Sequence, residues 1–230
     1  MPSTSLTSLA LALQEIDHLQ GSQHTPAGGL PIDPGASRAI NRASIVLLSS
    51  HFERYVRAIN EEAVGAVNQA SPLGEVLRES LRLQHSRAHA VTIAESQWDS
   101  AARANAWRAF VSDEGWLWGR GSAGLLNHTL LLSWMKSPKP QSIVRYYQFW
   151  GVDDIFTAIT RKPSSRSSFW LRIGELVDKR NNIAHGDATA DATQADVSGY
   201  RQAVWDFCSR ADGRLAVALR VLLGSRPWPR

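Results

Sequence analysis

Apolar residues that recur every three or four positions, and never in sustained alternation, constrain this chain more than any other feature. Near the C-terminal end Val197, Val204, Phe207, Ala211, Leu215 and Leu219 fall at that spacing, and before them Phe169, Ile173, Leu176 and Ile183 do the same. A period near 3.6 gathers such residues on one face of an α-helix, which is stable only when buried against other helices. Leu6, Leu9, Leu13 and Ile16 predict a short first helix. Ile45, Leu48, Phe52, Tyr55 and Ile59 predict about four turns within NRASIVLLSSHFERYVRAINEEAVGAV. A third helix is expected from near Glu75 towards Phe110, with Leu77, Leu81, Ala88, Val91 and Trp98 facing inward. With no strand pattern and no internal repeat, the expected fold is an all-α bundle.

The middle of the chain is less regular. SDEGWLWGRGSAG reads as a loop packed by its own aromatics, with Trp116 and Trp118 in local packing or, beside Arg120, placed to stack on bases. NHTLLLSWM reads as a short helix. SIVRYYQFWG and DDIFTAITR read as two more, parted by Gly151 and with Asp153 as a cap. KPSSRSS reads as a basic polar loop, and GSQHTPAGGLPIDPGAS as a Gly- and Pro-rich one. The chain has 230 residues, 43% of them apolar. That suits one domain over 1–230, with a core over about 38–110 and 141–222 and an irregular helical insertion over about 112–140.

Several function classes are set aside at this point. No apolar run approaches the ~20 residues of a membrane helix. The first residues lack a basic stretch, and Glu15 and Asp17 interrupt their apolar pattern, so a secretory signal is not expected. The single cysteine, Cys208, forbids an internal disulfide and a Cys-rich metal site, and it fits a reducing cytoplasm. No metal or cofactor is expected. The net charge is +4, and Arg outnumbers Lys by 21 to 4. Arg presents a planar fork suited to phosphate. A GC-rich genome produces the same bias, so the charge is compatible with a nucleic-acid partner without establishing one.

RNNIAHG, residues 180–186, joins chemistry to this framework. Stepping along 169, 173, 176, 180 and 183 places Arg180 on an apolar stripe. A cation there either reaches out to solvent or needs an anion. His185 lies five residues on, about 140° round a regular helix, so the two side chains do not share a face. They converge only where the helix loosens or where two copies bring their motifs together. Asn181 and Asn182 are poor helix-interior residues and Gly186 is suited to a helix stop, so the helix is expected to end or fray here. The spacing itself carries no weight. An Arg followed by a His after four to six residues is expected about two times by chance and occurs three times, at Arg78/His85, Arg82/His89 and Arg180/His185. A helix end with Arg on a carbonyl and His in solvent has the same pattern.

The surroundings of the third copy are more specific. RNNIAHG on the penultimate helix of a bundle, followed by an amphipathic last helix, resembles the signature of the HEPN superfamily. NRASIVLLSSHFERYVRAI resembles the second-helix region of its RiboL-PSP type, and SIVRYYQFWGVDDIF the segment before the motif helix. The resemblance spans roughly residues 38–222 and is weak over 75–140. It implies an antiparallel HEPN-type bundle and a metal-independent endoribonuclease in which an RNA 2′-hydroxyl attacks the adjacent phosphate. His185 is then the general acid/base, Arg180 the phosphate clamp and Asn181 a helper. It also implies a homodimer that joins two motifs in one cleft, and a toxin–antitoxin or anti-phage setting with an antitoxin or neighbouring defence protein as partner. The alternative it leaves is a non-catalytic HEPN module that binds RNA or a partner protein.

Further candidates follow at other positions. Glu53, one step off the stripe of the second helix, is a candidate ion-pair partner for Arg180 or a surface glutamate. Arg78, Arg82, His85 and His89 fall on one helix face, which either tracks an RNA backbone or is simply solvated. Arg161, Lys162 and Arg166 flank the KPSSRSS loop and are candidates to meet phosphate near the motif.

Overall fold

The computed structural model describes residues 2–23, 33–187 and 189–228. Ten α-helices occur among them: α1 (Thr4–Gly21), α2 (Pro34–Ala70), α3 (Glu79–His85), α4 (Arg87–Glu95), α5 (Ala101–Trp118), α6 (His128–Leu132), α7 (Pro140–Phe149), α8 (Ile155–Ile159), α9 (Pro163–Ala184) and α10 (Gln194–Leu223). No strand is present among the described residues, and none of the helices there is long and apolar enough to cross a membrane. The all-α bundle expected from the periodicity is the fold observed.

Side-chain bonds show how the four main helices run. The Ser3 amide donates to Asp212 (3.2 Å), while Asp17 pairs with Arg201, so α1 lies antiparallel to α10. Gln20 donates to Ser44 (2.8 Å) and the Thr4 amide to Glu62 (3.0 Å), so α1 is antiparallel to α2. Lys179 faces Asp196 (3.6 Å) and Phe169 packs on Phe207, so α9 is antiparallel to α10. Arg42 donates to the Asp187 carbonyl (3.1 Å), which sets the start of α2 beside the end of α9. Thus α1 and α9 run one way, α2 and α10 the other. The stripes named above fill the space between them: Leu13, Ile16, Ile45, Leu48, Phe52, Ile173, Leu176, Val204, Phe207 and Leu215 are all buried. Each such side chain contributes about 1.5–3 kcal/mol by leaving water. A capping box at Thr193 and Asp196 starts α10.

The region between α2 and α9 departs from the sequence expectations. The expected third helix is three pieces. A 3₁₀ turn at Gly74–Val76 precedes α3, α3 gives way to α4 at Ser86, and a turn through Asp99 (φ 59°) leads into α5. Leu77 and Leu81 are buried as expected, but Ala88, Val91 and Trp98 are exposed. A buried polar contact sits at the first break. His85 bonds to Glu114 across 2.7 Å and accepts from the Asn127 amide, tying α3 to α5 and to the segment before α6. The stretch 112–118, expected as loop, is the end of α5. Trp116 and Trp118 pack locally, Trp118 beneath the Arg82 guanidinium. The cap of α8 is Asp154, whose carboxylate accepts from the Phe156 amide, rather than Asp153. Residues 24–32 of the Gly- and Pro-rich loop lie outside the described residues, and its last part, from Pro34, already belongs to α2.

Candidate functional site

The end of α9 is sharply built. Regular helix continues to Ala184, and His185 is the capping residue. The Gly186 amide donates to the Ile183 carbonyl and the Asp187 amide to the Asn182 carbonyl, both at 3.1 Å. These two bonds are the Schellman pattern, and Gly186 takes the left-handed conformation it needs (φ 80°). The motif glycine is therefore a helix stop. The helix ends here as expected, but without loosening.

The loop beyond is pinned from two sides. Arg42 of α2 donates to the carbonyls of Asp187 and Ala190, Arg38 pairs with Asp191 (3.2 Å), and Lys179 of α9 donates to the Asp191 carbonyl (2.9 Å). The hydroxyl and amide of Thr189, with Arg42 adding its charge, hold the Asp187 carboxyl below its usual range. Arg38, Arg42 and Lys179 escaped the sequence reading. The i, i+4 spacing of Arg38 and Arg42, just before the apolar stripe of α2, was the available signal.

Arg180 is half-buried on the stripe of Ile173 and Leu176, as its position predicts. Its Nη1 donates to Oδ1 of Asn181 (3.1 Å), and no salt bridge to it forms among the described residues. Asn181 thus touches Arg180, whereas the helper role expected of it was to orient the scissile phosphate or His185. His185 is exposed, with no hydrogen bond from its ring among the described residues. Along this regular helix the two side chains remain about 140° apart with a rise of about 7.5 Å, so one chain does not aim both at one phosphate.

The other candidates sort differently. Glu53 does not hold Arg180: its carboxylate pairs with Arg57, one turn along its own helix (2.9 Å). Arg78, Arg82, His85 and His89 do not make one solvated basic face, because the helix is interrupted at Ser86. Arg82 donates to the Leu117 carbonyl (3.2 Å) and lies over Trp118, so its guanidinium is engaged within the fold. His85 is buried against Glu114, and His89 stands 3.7 Å from Asp113. Arg78 is exposed, 4.0 Å from Asp153, and its guanidinium closes on Gly151. Arg161, Lys162 and Arg166 come together, but far from the motif. KPSSRSS is the start of α9, with Pro163 at a first-turn position that tolerates it. Lys162 and Arg180 are separated by about 27 Å of helix.

The RiboL-PSP-HEPN family model matches residues 7–216. The chain belongs to that family. No curated protein and no solved structure matches it. As a HEPN domain, the RiboL-PSP-HEPN chain falls in a group generally associated with ribonucleases, which gives it a coarse RNA-related, nuclease-type role. The match takes in α1, which belongs to the bundle although the expected core began near residue 38.

Proposed function

We propose that this RiboL-PSP-HEPN domain is a metal-independent endoribonuclease whose chemistry is carried by Arg180, Asn181 and His185. The observation that carries the reading is Arg180 itself. It is a half-buried cation on an otherwise apolar stripe, bonded to a neutral amide and, among the described residues, to no carboxylate. Such a group favours an anion, and a phosphate fits its paired donors. In the reaction the RNA 2′-oxygen bonds to phosphorus while the bond to the 5′-oxygen breaks. One proton leaves the 2′-hydroxyl and one reaches the departing 5′-oxygen, giving a 2′,3′-cyclic phosphate and a 5′-hydroxyl. The exposed imidazole of His185 suits either transfer, and Arg180 would neutralise charge gathering on the phosphorane. Asn181 would hold the guanidinium in place. The 140° between Arg180 and His185 is met by a homodimer, in which a second copy sets its own motif across the same phosphate and supplies the second proton-transfer group. A cytoplasmic toxin–antitoxin or anti-phage setting accompanies the reading.

The test is cleavage of RNA by the purified protein in EDTA, beside Arg180→Ala and His185→Ala. Loss of about 10²–10⁴-fold for His185→Ala is expected. A 2′-deoxy residue on the 5′ side of the scissile phosphate should block cutting there. Equal rates in wild type and both variants, or cleavage of the 2′-deoxy site, would end the assignment.

A further inference from the structure

At the opposite end of α9 the structure holds an exposed aromatic ring on a cavity that Arg166 shares, with Arg161 and Lys162 just before the helix. Trp170 is 37% exposed and Leu171 58%. They border an open cavity of about 570 Å³ together with Asp154, Phe156, Thr157, Pro163 and Arg166. The ring is braced from within. Phe156, buried, meets Trp170 edge-on at 5.2 Å and rests in turn on Phe207 of the core. Arg166 is braced too: its Nη1 donates to the Thr157 hydroxyl (3.2 Å), which donates to Asp154, and its buried Nε has no partner. Arg161 and Lys162 are exposed just before the helix, and none of these three cations is in a salt bridge among the described residues. No side chain caps the start of α9.

An exposed indole braced from within, beside three cations that outnumber Asp154, the acid on the cavity wall, is the combination that grips unpaired nucleotides. Bases stack on the ring whatever their identity, and phosphates follow the charges. An apolar protein partner would draw as well on the apolar surface but would leave the excess of three cations over Asp154 unanswered. The charge therefore favours RNA.

Helix geometry relates this patch to the motif. Trp170 and His185 are about 22 Å apart along α9 and only about 60° apart around it, while Trp170 and Asn181 differ by about 20°. Trp170, Asn181 and His185 thus lie within about 60° of one another around a single rod, with Arg180 about 80° from Trp170 in the other sense. Between patch and motif, Pro140 and Lys139 of the α7 start are seated against Gly174 and Asp178. A strand that joins the two crosses the start of α7 midway, where Lys139 is paired with Asp178 (2.6 Å) and no net charge repels it. At the ~3.4 Å rise of a stacked strand, 22 Å spans about six nucleotides, and fewer when the strand is extended.

We propose, resting on the RNA-cleaving reading of Arg180 and His185, that Trp170 with Arg161, Lys162 and Arg166 forms a second RNA subsite. It takes single-stranded RNA and holds it up to about six nucleotides from the phosphate that is cut. The chain then acts on unpaired segments of that length, because a duplex cannot splay a base onto the ring.

The experiment uses the full chain and a labelled, unstructured oligouridylate of about twelve nucleotides, long enough to cover both sites. Anisotropy reads affinity, and cleavage of a dinucleotide reads the chemistry apart from the patch. Trp170→Ala should weaken binding of the long strand by about 5–100-fold, the loss of one stacked base. Trp170→Phe should retain most of the affinity, and both variants should cut the dinucleotide as wild type does. Arg161→Gln and Arg166→Gln should each flatten the salt dependence by about 0.7 in log–log slope. Long-strand affinity unchanged in Trp170→Ala, with its melting transition intact, overturns the subsite. So does tighter binding of a duplex than of the single strand. Wild-type protein that binds no RNA also overturns it and leaves the patch to a protein partner. The two proposals fail separately: Trp170-dependent binding without cleavage removes the nuclease reading, and cleavage indifferent to Trp170 removes the subsite.

Discussion

Replacing His85 with leucine removes one half of a buried polar contact while keeping similar bulk. The imidazole is 3% exposed and the Glu114 side chain 2%. The Asn127 amide donates to Nε2 at 2.7 Å, so that nitrogen carries no proton. The ring hydrogen therefore sits on Nδ1 and points at Glu114, 2.7 Å away. Leucine abolishes both bonds. The buried carboxylate then keeps only a long hydroxyl bond from Ser86 (3.3 Å) and the distant His89 ring (3.9 Å). With a neutral ring the cost is that of leaving a buried charged acceptor without its donor, and with the Ser86 contact remaining it is about 3 kcal/mol. Asn127 is exposed, so water can serve its freed amide and little is added. Glu114→Gln is the informative companion, because its amide oxygen still accepts the Nδ1 hydrogen. Only charge assistance is lost, about 1 kcal/mol, and relief of a buried charge offsets part of that. For a chain of this size 1 kcal/mol moves the melting temperature by about 2–4 °C, so His85→Leu should lower it by about 6–12 °C. Thermal and urea unfolding of both variants provide the measurement. The reasoning is refuted if His85→Leu lies within about 0.5 kcal/mol of wild type, or if Glu114→Gln costs more than His85→Leu.

Two further outcomes concern the core between α2 and α10. Cys208 is fully buried, and its thiol is pushed well above its ordinary range, first by burial and then by the charge of Asp212. The native protein should resist thiol reagents at neutral pH and react only in denaturant; labelling of the native state at an exposed thiol's rate would contradict the packing. Asp212 accepts from the Ser3 amide and hydroxyl, yet burial raises its carboxyl above the usual value more than those bonds lower it. A raised folded-state value means that the native state holds the proton more firmly than the unfolded chain. Ionisation therefore costs stability as pH rises from the unfolded value through the folded one. Asp212→Asn cannot ionise, so its stability relative to wild type should improve as pH rises through and above the ordinary carboxylate range. Urea titrations across that range would show a flat or opposite trend if the assignment is wrong.

What could be read from the sequence follows the range of the interaction responsible. The stripes of α1, α2, α9 and α10 were legible because burial on one face of a long helix imposes a local period, and Ile173, Leu176, Val204 and Phe207 are buried where that period puts them. Gly186 was legible because a left-handed helix stop favours one residue type. The break at Ser86 was hidden, since the contact beside it joins residues 29 positions apart, His85 and Glu114. The cations at 161–166 were misplaced for a local reason. A polar run with a proline resembles a loop, yet proline suits the first turn and the serines do not forbid helix. Two extra turns then carry those cations away from Arg180. The bond between Arg180 and Asn181 depends on rotamers and leaves no trace in spacing.

These differences bear on how the motif can work. A frayed helix end would have let Arg180 and His185 swing towards one another within a single chain. The two Schellman bonds, Arg42 on the following carbonyls and Lys179 on the Asp191 carbonyl leave little room for that swing. If both side chains act on one phosphate, the second set must come from outside the chain, so activity should depend on association. The long rigid α9 has a complementary effect at its other end. It holds Trp170 at a fixed distance from the motif, so the length of unpaired RNA that reaches both is set by helix geometry and not by a mobile loop.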